Sequence, residues 1–193
     1  MNLHEISGIV AGIVFAMSAS WYVLDVARHK VVPSIATFLI FTIINISQLA
    51  SLIVEQVWAV LPFAIVGTVA SLSVCIFAIQ RKKFYLELPD KIGFIGALLG
   101  CFLWFSTRDA ALNLYVLNAV NMIAFLPLII KSFKRPDLES LFPWQLNLIA
   151  SFFLLLTINS AEAVVWIVPV RQFICSILLN LGLYFGIKRK AEP

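Results

Sequence analysis

Arg171, Gln172, Ser176 and Asn180 lie in an otherwise apolar run near the carboxyl end of the chain. Similar groups interrupt the earlier apolar runs: Ser18 and Ser20, then Asn45, Ser47 and Gln48, then Ser71 and Ser73, Asn118 and Asn121, and finally Asn147. Polar side chains are costly in hydrocarbon and turn toward a bundle interior or a water-filled cavity. Together they supply amide donors and acceptors, hydroxyls and one permanent cation, which is chemistry for holding a polar solute rather than for breaking its bonds. Taken singly, each amide is better explained as a helix-to-helix hydrogen bond of about 1 kcal/mol or less, and each serine as a bond to its own helix. Their recurrence at similar depth in most of the runs is what marks a site.

Arg171 carries the most information, because it stands about two turns inside its run. Its charge must either reach outward to Glu162, Glu55 or Asp109 as part of an outer gate, or face the interior and recognise an anionic or strongly hydrogen-bonding solute. No buried carboxylate is expected, and hence no coupling ion. His4 and His29 belong to opposite ends of the first run, and Cys75, Cys101 and Cys175 sit in apolar runs without metal-ligand spacing. No catalytic residue, metal site or cofactor is therefore expected.

The elements that position these groups follow from composition. The chain has 193 residues, 62% hydrophobic and 12% charged, with a mean hydropathy of +1.00. Hydrophobicity spread over nearly the whole length makes lipid the solvent, so the expected fold class is all-α integral membrane. At about 20 residues per span there is room for seven helices, placed at 6–27, 34–54, 57–80, 91–107, 111–131, 139–158 and 163–187. The first run lacks a basic leader and continues past Trp21, so it reads as a span and not as a cleaved signal. Basic clusters at Arg28 to Lys30, Arg81 to Lys83, Lys131 to Arg135 and Lys188 to Lys190 all fall on one side of a seven-span chain. That side is read as cytoplasmic in a cell (inner) membrane, with the amino terminus outside and the carboxyl terminus inside. Orientation, not nucleic acid, accounts for the net charge of +4.

Two stretches have the same layout. WYVLDVARHKVVPSIATF, from Trp21, and FLPLIIKSFKRPDLESLFPW, from Phe125, both run from an apolar helix through a basic, proline-containing turn to a second helix. One offset relates Arg28 to Lys134, Ser34 to Ser140 and Phe38 to Trp144 (134 − 28 = 106). Another relates Trp58 to Trp166 and Arg81 to Arg189 (166 − 58 = 108). Spans one to three thus map onto spans five to seven in the same orientation, as parallel repeats. The predicted organisation is a first triple-helix repeat over 1–85, a linker helix over 86–109 and a second repeat over 110–193. The glycines of GFIGALLG give the linker a small-residue face for close packing.

This 3+1+3 arrangement, with KSFKRPDLESLFPW in the second copy, resembles the SWEET sugar-transporter and PQ-loop (MtN3-like) family over essentially the whole chain. The resemblance implies two triple-helix bundles rocking around a midplane site by alternating access. It implies a facilitator of a small polar solute, a sugar or sugar-like molecule first, with a vitamin or nucleoside carrier and a non-transporting receptor or scaffold as alternatives. It also implies a proline hinge, matched by Pro127, whose register partner is Trp21, and a mid-helix asparagine, matched by Asn180, whose partner is Leu72. The expected solute-binding set is Asn180, Arg171, Asn121, Asn147, Asn45, Gln48, Ser73 and Trp21, with Pro127 and Pro169 as hinges. Expected partners are a small-molecule solute and the lipid bilayer, and a homo-oligomer is left open.

Overall fold

The computed structural model describes residues 2–33, 35–79, 94–96, 98–99, 102 and 105–191. Six long helices appear there: α1 (Leu3–Ala27), α2 (Ile35–Val54), α3 (Leu61–Ile79), α4 (Ala110–Lys134), α5 (Leu141–Leu155) and α6 (Ala163–Ala191). Single 3₁₀ turns at Trp58–Val60 and Pro136–Leu138 lead into α3 and toward α5. The linker expected at 91–107 lies largely outside the described residues. Residues 94–96, 98–99, 102 and 105–107 of it are helical, and Gly96 lies directly against the Val120 side chain.

Local sequence explains where the helices begin and end. Asn2 caps α1 through a capping box, its Oδ1 accepting from the Glu5 N–H at 2.9 Å while Glu5 Oε2 accepts from the Asn2 N–H at 3.1 Å. Asp109 caps α4 in the same manner, accepting from the Leu112 N–H at 2.9 Å. After α1 and α2 the backbone turns left-handed at His29 (φ 62°) and Gln56 (φ 56°), which ends each helix. Among the described residues, five helices are long and apolar enough to cross a membrane, while α5 is a shorter apolar helix of 15 residues.

The helices close a ring. Helix α3 packs between α1 and α2, α6 packs between α4 and α5, and the halves meet along α1 with α5 and α2 with α4. Contact pairs fix the directions. Gly8 meets Ala59 and Gly12 meets Pro62, so α1 and α3 run the same way. Gly182 meets Ile129 and Gly186 meets Phe133, so α4 and α6 do too. His4 reaches Leu156 while Ser18 reaches Pro143, which sets α5 antiparallel to α1. Asn147 with Ser176 and Asn180 with Trp144 set α6 antiparallel to α5. Helices α1 and α4 therefore point in one direction. Their carboxyl ends mark the basic end of the ring and their amino ends the opposite, amino-terminal end.

Large apolar residues cover the outside, among them Ile13, Met17, Val69, Phe152 and Tyr184, each more than half exposed. Water does not tolerate a continuous coat of that kind; lipid does, and the chain is an α-helical membrane protein. Inside, two apolar clusters fill the ends. One gathers Val26, Val31, Leu128 and Leu183 toward the basic end, and the other gathers Ala11, Leu52, Val60, Leu114, Leu154 and Val168 toward the amino-terminal end. Most of the buried amides lie in the layer between them.

Candidate solute cavity

Arg171 organises that layer. It is 6% exposed, and its guanidinium points into the ring instead of reaching outward to Glu162, Glu55 or Asp109. Nε donates to Asn118 Oδ1 at 2.8 Å, and Nη1 donates to Asn121 Oδ1 at 2.8 Å and Gln172 Oε1 at 3.2 Å. Helical geometry makes this clamp: Asn118 and Asn121 are three residues apart on α4, so both face α6. Gln172 in turn donates from Nε2 to Asn147 Oδ1 at 3.4 Å, and Asn147 Nδ2 donates to Ser176 Oγ at 3.1 Å. No described carboxylate forms an ion pair with Arg171.

The first half contributes less connected groups. Asn45 Nδ2 donates to Gly67 O and to Ser71 Oγ, both at 3.2 Å. Gln48 is 4% exposed and its Oε1 has no hydrogen-bond partner among the described residues. Leaving such an acceptor unpaired costs about 1–3 kcal/mol. Asn113 of α4 donates to Ser47 Oγ at 3.0 Å and Ser51 Oγ at 2.7 Å, tying the halves together, and its Oδ1 is likewise unpaired.

A cavity of about 110 Å³ lies at the centre of this layer. Arg171, Asn121, Asn147, Asn45 and Gln48 all line it. Aromatic rings supply much of the rest of its wall, with Phe15 and Phe63 stacked at 4.1 Å between centroids. No protein-family model, curated protein or solved structure matches the chain. What the cavity does is therefore read from its own chemistry.

Three of the expected residues lie elsewhere. Ser73 is two positions from the cavity-lining Ser71, about 200° around the helix, and its hydroxyl bonds back to Val69 O at 2.7 Å. Trp21 is 51% exposed and packs edge-on against Phe142 on the outer surface. Its neighbour Tyr22 takes the inward position and lines the cavity. Asn180 donates to the carbonyls of Trp144 and Ser176, both at 2.9 Å, and borders a separate groove between α5 and α6 with Leu181 and Tyr184. Pro127 and Pro169 are carried within continuous helices α4 and α6.

A polar cluster closes the basic end of the cavity. Glu139, its side chain fully buried, accepts from Lys131 Nζ at 2.6 Å, Trp144 Nε1 at 3.2 Å and Tyr22 O–H at 3.3 Å. Lys131 Nζ also donates to Val32 O at 2.5 Å, and Ser140 Oγ donates to Asp25 Oδ2 at 2.7 Å. Each of the links through Tyr22, Val32 and Asp25 joins one half to the other. Two buried carboxylates thus exist where the sequence reading expected none, because the turn after α4 folds Glu139 inward onto three donors. Trp144 is also a cavity wall.

Proposed function

We propose that the protein is a membrane carrier that moves a small polar solute by alternating access between two three-helix bundles. The reading takes the ring of six helices, with α1 parallel to α4, as two parallel repeats. The 30 residues from 80 to 109 then supply a seventh span, since α3 ends at the basic end and α4 begins at the other. On this reading the chain keeps the SWEET and PQ-loop arrangement, the basic end is cytoplasmic, and the amino terminus lies outside.

The observation that carries the proposal is the polar cavity held between two apolar clusters. A scaffold needs its amides paired; here, among the described residues, Gln48 Oε1 meets no donor and the clamped Arg171 faces the cavity instead of a counter-ion. A buried group with unmet hydrogen-bonding capacity is what a ligand completes. Alternating access needs links that break and re-form, and the cluster of Lys131, Glu139, Tyr22, Asp25 and Ser140 provides them across the halves at one end.

The test is solute uptake by the purified chain in liposomes, run beside the Gln48→Leu and Arg171→Gln variants. Saturable uptake lost in both variants upholds the carrier and its site. Uptake unchanged in both removes the site, and the absence of uptake for every solute class favours the non-transporting receptor or scaffold. A vitamin-like, ring-bearing solute is the second reading, favoured over a sugar by the aromatic wall of Phe15 and Phe63.

A further inference from the structure

The register of the two halves gives the cavity two unlike faces. The offset of 106 residues pairs Phe15 with Asn121 (121 − 15) and Phe41 with Asn147 (147 − 41), and the offset of 108 pairs Phe63 with Arg171 (171 − 63). All six residues line the same cavity. The pairing also holds in space: where Phe15 stacks on Phe63 at 4.1 Å, the matching positions of the second half hold the bond from Arg171 Nη1 to Asn121 Oδ1 at 2.8 Å. At each of these positions the first half presents a ring and the second half an amide or a guanidinium.

A neutral polyol, with hydroxyls on every side, gains little from the ring-lined face, because burying a hydroxyl without a partner is unfavourable. A wholly apolar solute leaves Arg171 as costly as before. The cationic face has a more specific demand. The described partners of Arg171 are the neutral amides of Asn118, Asn121 and Gln172, so its buried positive charge has hydrogen bonds but no counter-charge. Its Nη2 forms no hydrogen bond to a described residue, which leaves N–H donors for an incoming oxygen. Across the same cavity, Gln48 Oε1 requires an O–H or N–H donor.

We infer that the solute is a small organic monoanion: a carboxylate on a flat apolar body that also carries a hydroxyl or amino donor; this rests on the carrier reading above. The carboxylate faces Arg171, the ring lies against Phe15, Phe41 and Phe63, and the donor meets Gln48. A cavity of about 110 Å³ suits one ring, not a nucleotide or a disaccharide.

Thermal unfolding of the full chain in detergent tests this with four probes: para-hydroxybenzoate, the neutral para-hydroxybenzamide of the same shape, acetate, and glucose. A ligand that binds the folded state raises the unfolding temperature. The hydroxybenzoate is expected to give the largest rise, with acetate and glucose giving little. Arg171→Gln is expected to weaken hydroxybenzoate binding about tenfold and to erase its advantage over the amide. Arg171→Lys keeps the charge and should keep the preference, and Phe63→Leu should weaken acid and amide alike. Should the arginine variants not fold, the comparison of acid with amide on the native chain decides alone. Equal rises for acid and amide, a larger rise with glucose, or no rise with any probe each overturn the anion assignment. Uptake of labelled glucose without hydroxybenzoate binding overturns it while leaving the carrier reading intact. Hydroxybenzoate binding that depends on Arg171, without uptake into liposomes, upholds the anion site and ends the carrier reading.

Discussion

In the first half glycines let α1 pack tightly at the amino-terminal end, where a Cβ on Gly8 would come within 1.9 Å of Ala59 O in the turn before α3 and one on Gly12 within 2.7 Å of Pro62 in α3. In the second half the glycine contacts are at the basic end, where a Cβ on Gly186 would lie 2.7 Å from the carbonyl oxygens of Ser132 and Phe133. Within one topology, the halves are pinned at opposite ends. At three matched positions their cavity walls differ as sharply, with Phe15, Phe41 and Phe63 in one half against Asn121, Asn147 and Arg171 in the other. Matching helices can thus keep a shared backbone plan while their packing and their chemistry diverge, because the glycine contacts and the cavity side chains lie at different levels along each helix.

The largest effect should come from making the second half like the first. Arg171→Phe, the residue at the matching position, removes the cation and leaves Asn118 and Asn121 without their donor. Solute uptake is expected to fall at least about a hundredfold, the equivalent of losing two charge-assisted hydrogen bonds. Uptake within a few-fold of the native rate would show that the two faces do not divide the work.

Next is the packing contrast. Gly8→Val places a side chain inside the Ala59 backbone and should cost about 3 kcal/mol or more through forced separation of α1 and α3. Gly67→Ala, whose new Cβ would rest 3.4 Å from the Phe15 ring, should cost well under half of that. Unfolding temperatures of the two variants in detergent check the ranking, and equal losses would argue against pinning at Gly8.

Glu139→Gln weakens the links across the basic end by leaving Lys131, itself partly exposed, without its counter-charge. The loss should be about 2 kcal/mol, below that of a fully buried pair because solvent screens Lys131. Gln48→Leu should go the opposite way. Replacing an unpaired buried acceptor by an apolar group is expected to stabilise the fold by about 1 kcal/mol while lowering uptake. A loss of stability in that variant would mean that Gln48 Oε1 is satisfied in the native state and is not held open for a ligand.

The placing of the helices was legible in the sequence because each apolar run is bounded by charge, proline or a capping residue, as at Asn2 and Asp109. The polar positions around Arg171 were legible, since a cation and spaced amides in apolar runs have few places to go, but whether Arg171 turns inward or reaches outward to Glu162, Glu55 or Asp109 was left open. Which face a residue takes was not legible. Lipid is as apolar as the interior, so these helices carry no strong stripe to tell Ser71 from Ser73 or Tyr22 from Trp21. Asn180 was expected beside the solute, yet the carbonyls of Trp144 on the neighbouring helix and of Ser176 on its own helix take its amide. Glu139 and Trp144 escaped notice because their positions depend on the fold of a turn, which helix periodicity does not describe. The ring face was readable in principle, since Phe15, Phe41 and Phe63 stand at the same offsets from Asn121, Asn147 and Arg171 that the turns define.

The smallest effect concerns how α6 is tied to the rest of its half at the basic end. Lys190 donates to the carboxylate of Asp137 in the turn after α4, and that hydrogen bond, with the nearby charges of Lys190 and Arg135, holds the Asp137 carboxyl below its usual pKa. A depressed carboxyl pKa stabilises the folded state above the ordinary carboxylate range, and the contribution is lost as pH falls through the lowered value. Both partners are about half exposed, so water and salt screen most of the attraction. Asp137→Asn should therefore leave the unfolding temperature nearly unchanged at neutral pH and slightly flatten its decline in acid, whereas Gly186→Val at the same end should lower it at every pH. A large drop at neutral pH in Asp137→Asn would mean that the second half is pinned at its basic end by charge as well as by its glycines.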